Sequence, residues 1–119
     1  MKIGMQRDSS IELDIASCVH LLNSICKFAC FSALPTYNVN KNKTGLDFDE
    51  ESNRLTPLQK SSELDLIVFV TKRAYSDNYY FYEMENILVL SLAHWEHYTN
   101  LPPENGVLFF IASFLPFAA

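Results

Sequence analysis

The chain has 119 residues, of which 49% are hydrophobic and 19% charged, and its formal net charge is −5. This length is enough for one hydrophobic core, and the composition is somewhat more apolar than that of an average soluble domain. Fourteen acids against nine bases argue against a nucleic-acid ligand, since binding to phosphates normally requires a basic face. The apolar excess predicts that a protein partner, or self-association, covers part of the surface.

The amino-terminal residues 1–8 lack the apolar core and the cleavage site of a signal peptide. Three cysteines, at positions 18, 26 and 30, fall in one predicted helix, where Cys18 and Cys26 would lie about 12 Å apart, beyond disulfide reach. We therefore predict a reduced, cytoplasmic protein whose cysteines act as small hydrophobic residues.

A strand over Lys2 to Gln6 and a long amphipathic helix are predicted for the first third of the chain. Ser9 and Glu12 have the spacing of a capping box that opens a helix. From Ile11 onward apolar residues recur with helical spacing, and Pro35 ends the pattern. Such a helix is expected to lie on a sheet.

The middle of the chain predicts a sheet interrupted by a polar insertion. Residues 36–40 form a short strand candidate, and residues 41–63 are polar and acidic, which predicts a surface insertion with one helical turn at Thr56-Pro57. Leu64 to Val70 and Ile87 to Ala93 are nearly continuous apolar runs, typical of strands covered on both faces. Between these runs Asn78 to Tyr82 predicts another strand and no helix is visible, so the sheet is expected to be mixed.

The run from Val107 to Ala119 has Ser113 as its only polar residue. It is shorter than the roughly 20 residues that span a bilayer, which argues against a membrane segment. The predicted fold class is α/β: a mixed sheet, mostly of central strands, with a long amphipathic helix packed on it and an apolar carboxy-terminal helix. We predict that residues 1–119 form a single domain or the amino-terminal portion of a larger one. The apolar helix is then expected to pack against the rest of that larger domain or against a partner protein.

Three residues directly after the second apolar strand could bind a metal. His94, Glu96 and His97 offer two imidazoles and a carboxylate, which could hold zinc if the segment turns helically. Their spacing does not match His-Glu-x-x-His, so an exposed loop is the competing interpretation. Binding of a small ligand at the strand ends near Thr71 and His94 is a further alternative.

Aromatic residues are dense in the second half of the chain. Tyrosine and tryptophan are favoured at protein interfaces, and the acidic residues among them argue against stacking on nucleic-acid bases. We predict a non-catalytic protein-interaction or regulatory module with no catalytic residues. Its predicted interface residues are Tyr79, Tyr80, Tyr82, Trp95, Tyr98, Phe109, Phe110 and Phe114.

The order strand, helix, strand, apolar strand, aromatic segment, apolar strand and long helix resembles the amino-terminal half of the archaemetzincins, a metzincin-type metallopeptidase family. The residues that carry the resemblance are Val70-Thr71, Phe81 and Leu90-Ser91-Leu92. In that family the following helix carries the zinc-binding His-Glu-x-x-His, whereas Val107 to Leu115 holds neither histidine nor glutamate. The resemblance implies a proteolytically inactive relative. The alternative function is a degenerate or metal-dependent, metallopeptidase-like hydrolase with zinc as cofactor.

Overall fold

A computed structural model describes the backbone of residues 1–118 and the side chains of residues 1–114. Its main sheet has five strands in the order β2-β1-β4-β7-β6, and β3 and β5 form a separate pair. Strands β2, β1, β4 and β7 are parallel, and β6 runs antiparallel to β7, which confirms the predicted mixed α/β fold. The elements in chain order are β1 (Lys2–Arg7), α1 (Ile15–Ile25), β2 (Cys30–Ala33), β3 (Gly45–Leu46), α2 (Phe48–Ser61), β4 (Leu66–Thr71), β5 (Ala74–Tyr75), β6 (Phe81–Met84), β7 (Ile87–Ser91), α3 (Trp95–Tyr98) and α4 (Pro103–Ala118).

Every residue of β4 and β7 is buried, because helices cover both faces of the sheet. Alternate side chains such as Val68 and Leu88 pack in a core with residues of α1 and α4. The intervening side chains, such as Phe69 and Val89, pack in a second core with Leu55 of α2. Two-sided burial explains why both segments are apolar without alternation. The connection from β4 to β7 runs through β5 and β6, so these parallel neighbours are joined without a helix.

Helix α1 is shorter than predicted at both ends, and the capping box at Ser9 and Glu12 is wrong. Asp14 is the N-cap, and its Oδ1 accepts a hydrogen bond from the N–H of Ser17 at 3.0 Å. Ser9 belongs instead to the turn after β1, where its N–H donates to the carbonyl of Tyr37 at 2.9 Å. The helix has ended before Cys30, which lies in β2, so the prediction that one helix holds all three cysteines is also wrong.

The order of the early strands also differs from the prediction. The second strand is Cys30–Ala33, and residues 36–40 contribute only an isolated bridge between Tyr37 and Asp8. Strand β1 lies inside the sheet between β2 and β4, with Ile3 and Met5 completely buried. Edge position therefore belongs to β2 and β6.

The polar segment 41–63 contains more regular structure than one helical turn. Helix α2 has 14 residues and starts after Asp47, whose Oδ1 accepts from the N–H of Asp49 at 3.1 Å. Its interior holds Pro57, and Leu55 is completely buried against the sheet. The helix escaped prediction because so few of its residues are apolar.

Helix α4 covers the end of the sheet with only one of its sides. Val107 and Ile111 are buried, whereas the Phe109 side of the helix faces solvent. The predicted apolar run ends at Ala119, which lies outside the described residues. Among the helices that the structure describes, none has the length and apolar character needed to cross a membrane.

We predict that Leu22→Ala lowers the free energy of unfolding by about 2–5 kcal/mol, because Leu22 lies on the core-facing side of α1 and is only 2% exposed. Its neighbour Leu21 is 43% exposed, so Leu21→Ala is the matched control and should change stability by less than about 0.5 kcal/mol. Urea denaturation of both variants measures the difference. Equal losses of stability in the two variants would contradict an α1 that turns Leu22 toward the core and Leu21 toward solvent.

Candidate functional site

The functional candidates gather at one edge of the sheet. The carboxyl ends of parallel strands meet there, and ligands of open α/β sheets usually bind just beyond this edge. Asp8 follows β1, Thr71 ends β4 and precedes Arg73 by two positions, and Ser91 ends β7. All four residues are buried, which is unusual for charged side chains and requires partners.

Arg73 lies at the centre of this buried polar group. Its Nε donates to Asp8 Oδ2 at 3.0 Å, and its Nη2 lies 3.3 Å from Glu51 Oε1. Thr71 Oγ1 donates to the same Asp8 oxygen at 2.6 Å. On the other side, Ser91 Oγ donates to the carbonyl of Arg73 at 2.6 Å. One arginine thus connects the ends of three strands with helix α2.

The charges in this group compensate one another. Burial disfavours the charged guanidinium, but the charges of Glu51 and Asp8 outweigh it and raise the pKa of Arg73. Arg54 adds a second cation, with its Nη2 at 3.2 Å from Glu51 Oε1. Two arginines and two carboxylates therefore balance, so the carboxylates are engaged as structural acceptors. We name Asp8, Glu51, Thr71, Arg73 and Ser91 the buried polar network.

An open apolar pocket of about 590 Å³ lies beside the network, between the end of β7, the segment leading into β6, and helices α3 and α4. We call it the aromatic pocket. Phe81 of β6 contacts Phe110 of α4 with ring centroids 5.0 Å apart, and Phe110 stacks on Phe114 at 5.6 Å. Seven of the eight predicted interface residues line it: Tyr79, Tyr80, Trp95, Tyr98, Phe109, Phe110 and Phe114.

Tyr82 is the predicted interface residue that does not line the aromatic pocket. Strand side chains alternate between faces, so Tyr82 points away from Phe81 and packs on Tyr75, with ring centroids 4.6 Å apart. Its hydroxyl donates to Asp77, and this hydrogen bond lowers the pKa of the Asp77 carboxyl. Tyr82 therefore supports the loop before β6.

Several aromatic side chains of the pocket remain open to solvent. Tyr79 and Tyr80 are 49% and 52% exposed, and Tyr98 and Phe109 are 83% and 73% exposed. Contiguous exposed apolar surface of this kind typically marks an interaction site. Trp95, the only tryptophan of the chain, is fixed at the rim by a hydrogen bond from its Nε1 to the carbonyl of Leu101 at 2.7 Å.

The three predicted zinc ligands are neighbours but are not arranged as a ligand set. The His94 and His97 rings have centroids 5.6 Å apart, while Glu96 pairs with Lys72. Within the part of the chain that the structure describes, no three His, Cys, Asp or Glu side chains come together to hold a metal. Zinc binding by His94, Glu96 and His97 stays a prediction from sequence. The two residues of the small-ligand hypothesis have different surroundings, since Thr71 is bonded within the network and His94 lines the aromatic pocket.

Cys18, predicted as a structural residue, is buried on the core-facing side of α1. Burial, with smaller contributions from the charges of Glu104 and Asp14, raises the pKa of its thiol to about 11. The thiol is therefore protonated at neutral pH, whereas a nucleophilic cysteine requires the thiolate.

We predict that Arg73→Met destabilises the fold by about 3–5 kcal/mol, because it leaves Asp8 and Glu51 buried without their shared cation. Lys72→Met, one residue earlier and partly exposed, is the control and should have a small effect, since exposed ion pairs contribute little. Thermal and urea unfolding measure both. A tolerated Arg73→Met would show that the network does not hold the fold together.

No protein-family model, curated protein or solved structure matches this chain. Its function has to be inferred from the geometry of its own side chains. The aromatic pocket, beside the free edge of β6, is the feature most suited to binding.

Proposed function

We propose that this chain is a non-catalytic protein-interaction module that binds an extended apolar segment of a partner protein along β6 and in the aromatic pocket. One observation carries the proposal: eight aromatic side chains, four of them largely exposed, surround one pocket beside an edge strand. Main-chain pairing with the strand would supply affinity, and the pocket would supply specificity for side chains.

The free edge of β6 supports the choice of an extended occupant. The carbonyl of Tyr80 accepts a hydrogen bond from the N–H of Ser91 at 2.7 Å. In an antiparallel pair the inward and outward residues alternate, so the backbone groups of Phe81 and Glu83 point away from β7. Among the described residues no further strand pairs with this edge. A peptide strand can therefore use these groups.

The chemistry of the occupant follows from the pocket and its surroundings. Aromatic side chains around a pocket that a partner desolvates on binding are typical anchors for a large apolar side chain of that partner. The adjacent surface carries the exposed acids Asp77, Glu83 and Glu85. Charge complementarity favours a partner segment in which a large apolar residue stands next to lysine or arginine.

We also propose a cellular location and a family relationship for this chain. The free cysteines Cys18, Cys26 and Cys30 support a reduced, cytoplasmic setting. The order β1, α1, β2, β4, β6, β7 and α4 supports a relationship to the archaemetzincin domain. Because α4 contains no histidine, the proposed relative is a proteolytically inactive one.

The test is selection of linear peptides from a random phage-displayed library on the full chain, followed by binding assays with the selected peptides. We expect peptides with a large apolar residue beside lysine or arginine. Binding should change the fluorescence of Trp95 and protect the amides of Phe81 and Glu83 from hydrogen exchange. Phe109→Ser should weaken binding about tenfold, because it removes an aromatic wall of the pocket.

Phe28 provides the matched control, since it is 48% exposed and outside the pocket, so Phe28→Ser should leave affinity unchanged. Methylation of alternate peptide amides should abolish binding if the peptide pairs with β6. The proposal is contradicted if methylated peptides bind as well as unmodified ones. It is also contradicted if sedimentation shows that Phe109→Ser abolishes a dimer, because the pocket would then serve self-association.

A further inference from the structure

A second cavity lies at the carboxyl edge of the sheet, on the far side of the buried polar network from β6. Its volume is about 350 Å³, within the size range of small-molecule sites. We call it the basic pocket. Its lining includes Ser9, Ser10, Lys41, Lys43, Lys72 and Arg73.

The basic pocket lies where the chain topology leaves a crevice. From β1 the chain passes through α1 to β2 on one side, and from β2 it returns through α2 to β4 on the other side. Helix α1 packs on one face of the sheet and α2 on the opposite face. The two connections therefore diverge between the carboxyl ends of β1 and β4, the position at which open α/β sheets bind ligands. The lining residues Ser9, Ser10, Lys72 and Arg73 lie within three positions of these two ends.

The charge of the lining is opposite to that of the chain. Four of the nine lysines and arginines line this one cavity, in a chain of net charge −5, and no described lining residue is acidic. Arg73 is already neutralised by Asp8 and Glu51, so the available charge comes from the lysines. Lys41 forms no ion pair within the described residues.

The other two lysines have partners that an anionic ligand can displace. Lys43 pairs with Glu50 and Lys72 with Glu96, and these two glutamate side chains are 51% and 56% exposed. Such exposed ion pairs are weak, so a dissolved anion can compete with the glutamate for the lysine. Lysine ammonium groups act as mobile point charges that suit phosphate oxygens.

Polar groups at the floor of the cavity are fixed in place. The N–H of Lys72 donates to Ser10 Oγ at 2.9 Å, and Ser10 Oγ in turn donates to Asp8. Ser9 Oγ accepts from the N–H of Val39 at 2.9 Å, which holds the loop containing the lysines against the strand ends. The lysines are therefore presented by a loop anchored to the sheet.

We propose that the basic pocket binds a small phosphate monoester. A phosphate group would lie among Lys41, Lys43 and Lys72 over the ends of β1 and β4, and the remaining volume would take a small organic group. This site is independent of the aromatic pocket, with which it shares no lining residue.

Phenyl phosphate and inorganic phosphate are the probes, titrated into the isotopically labelled full chain at constant ionic strength and followed by amide chemical shifts. We expect saturable shifts at Ser10, Lys41 and Lys72, with phenyl phosphate bound more tightly than inorganic phosphate. Lys41→Gln should weaken binding about fivefold, the effect of one nearby unit charge in water. Lys27→Gln removes the same charge from an exposed loop outside the pocket and should leave affinity within about twofold.

Shifts that do not saturate, or that spread evenly over the surface, would overturn the proposal. So would equal weakening by Lys27→Gln and Lys41→Gln, since phosphate would then respond to net charge alone. If inorganic phosphate binds as tightly as phenyl phosphate, the site recognises the free ion, and the assignment to a monoester is wrong.

Discussion

A buried arginine is the constraint on which the arrangement of this domain depends. Arg73 is almost completely enclosed, and a charge in that position is tolerable only beside compensating carboxylates. Asp8 supplies one from the end of β1, and Glu51 supplies the other from α2. These contacts determine where α2 lies on the sheet and hold the ends of β1 and β4 together. Through Ser91, which bonds the carbonyl of Arg73, the same residue also positions the end of β7.

The network divides one edge of the sheet into two surfaces of opposite character. On the β1 and β4 side the lining is cationic and hydroxylic, and the loop over residues 39–44 closes it. On the β7 and β6 side the lining is aromatic, and the adjacent surface is acidic. A partner chosen by apolar contacts and a ligand chosen by charge would therefore not compete. Because Arg73 and Ser91 lie between the two pockets, both surfaces depend on the same buried contacts.

The strands β4 and β7 could be predicted from sequence because burial on both faces makes each of them a nearly continuous apolar run. The aromatic pocket was predictable in composition for a related reason, since aromatic residues concentrate at interfaces. Helix α2 was not predictable, because its sheet-facing positions include Glu51, a residue that indicates a surface when read alone. Strand β2 was not recognised because only Phe31 of its four residues is buried, and the apolar spacing of α1 continues into it.

The buried polar network was missed for a different reason. Asp8 and Arg73 are 65 positions apart in sequence, so neither residue indicates the other. The one available signal was the presence of charged residues just after β1 and β4, at Asp8 and at Lys72-Arg73. A sequence pattern indicates which face of a strand or helix a residue occupies. It does not indicate which distant residue of opposite charge forms an ion pair with it.

The central claim is that β6 accepts a partner segment as an additional strand. Intermolecular nuclear Overhauser effects between a selected, labelled peptide and the full chain test it most directly, because they locate the peptide backbone. We predict cross-strand contacts to Phe81 and Glu83, with an apolar peptide side chain near Trp95 and Phe110. A peptide bound instead along the other edge strand, β2, with contacts to Phe31 and Ser32, would contradict it.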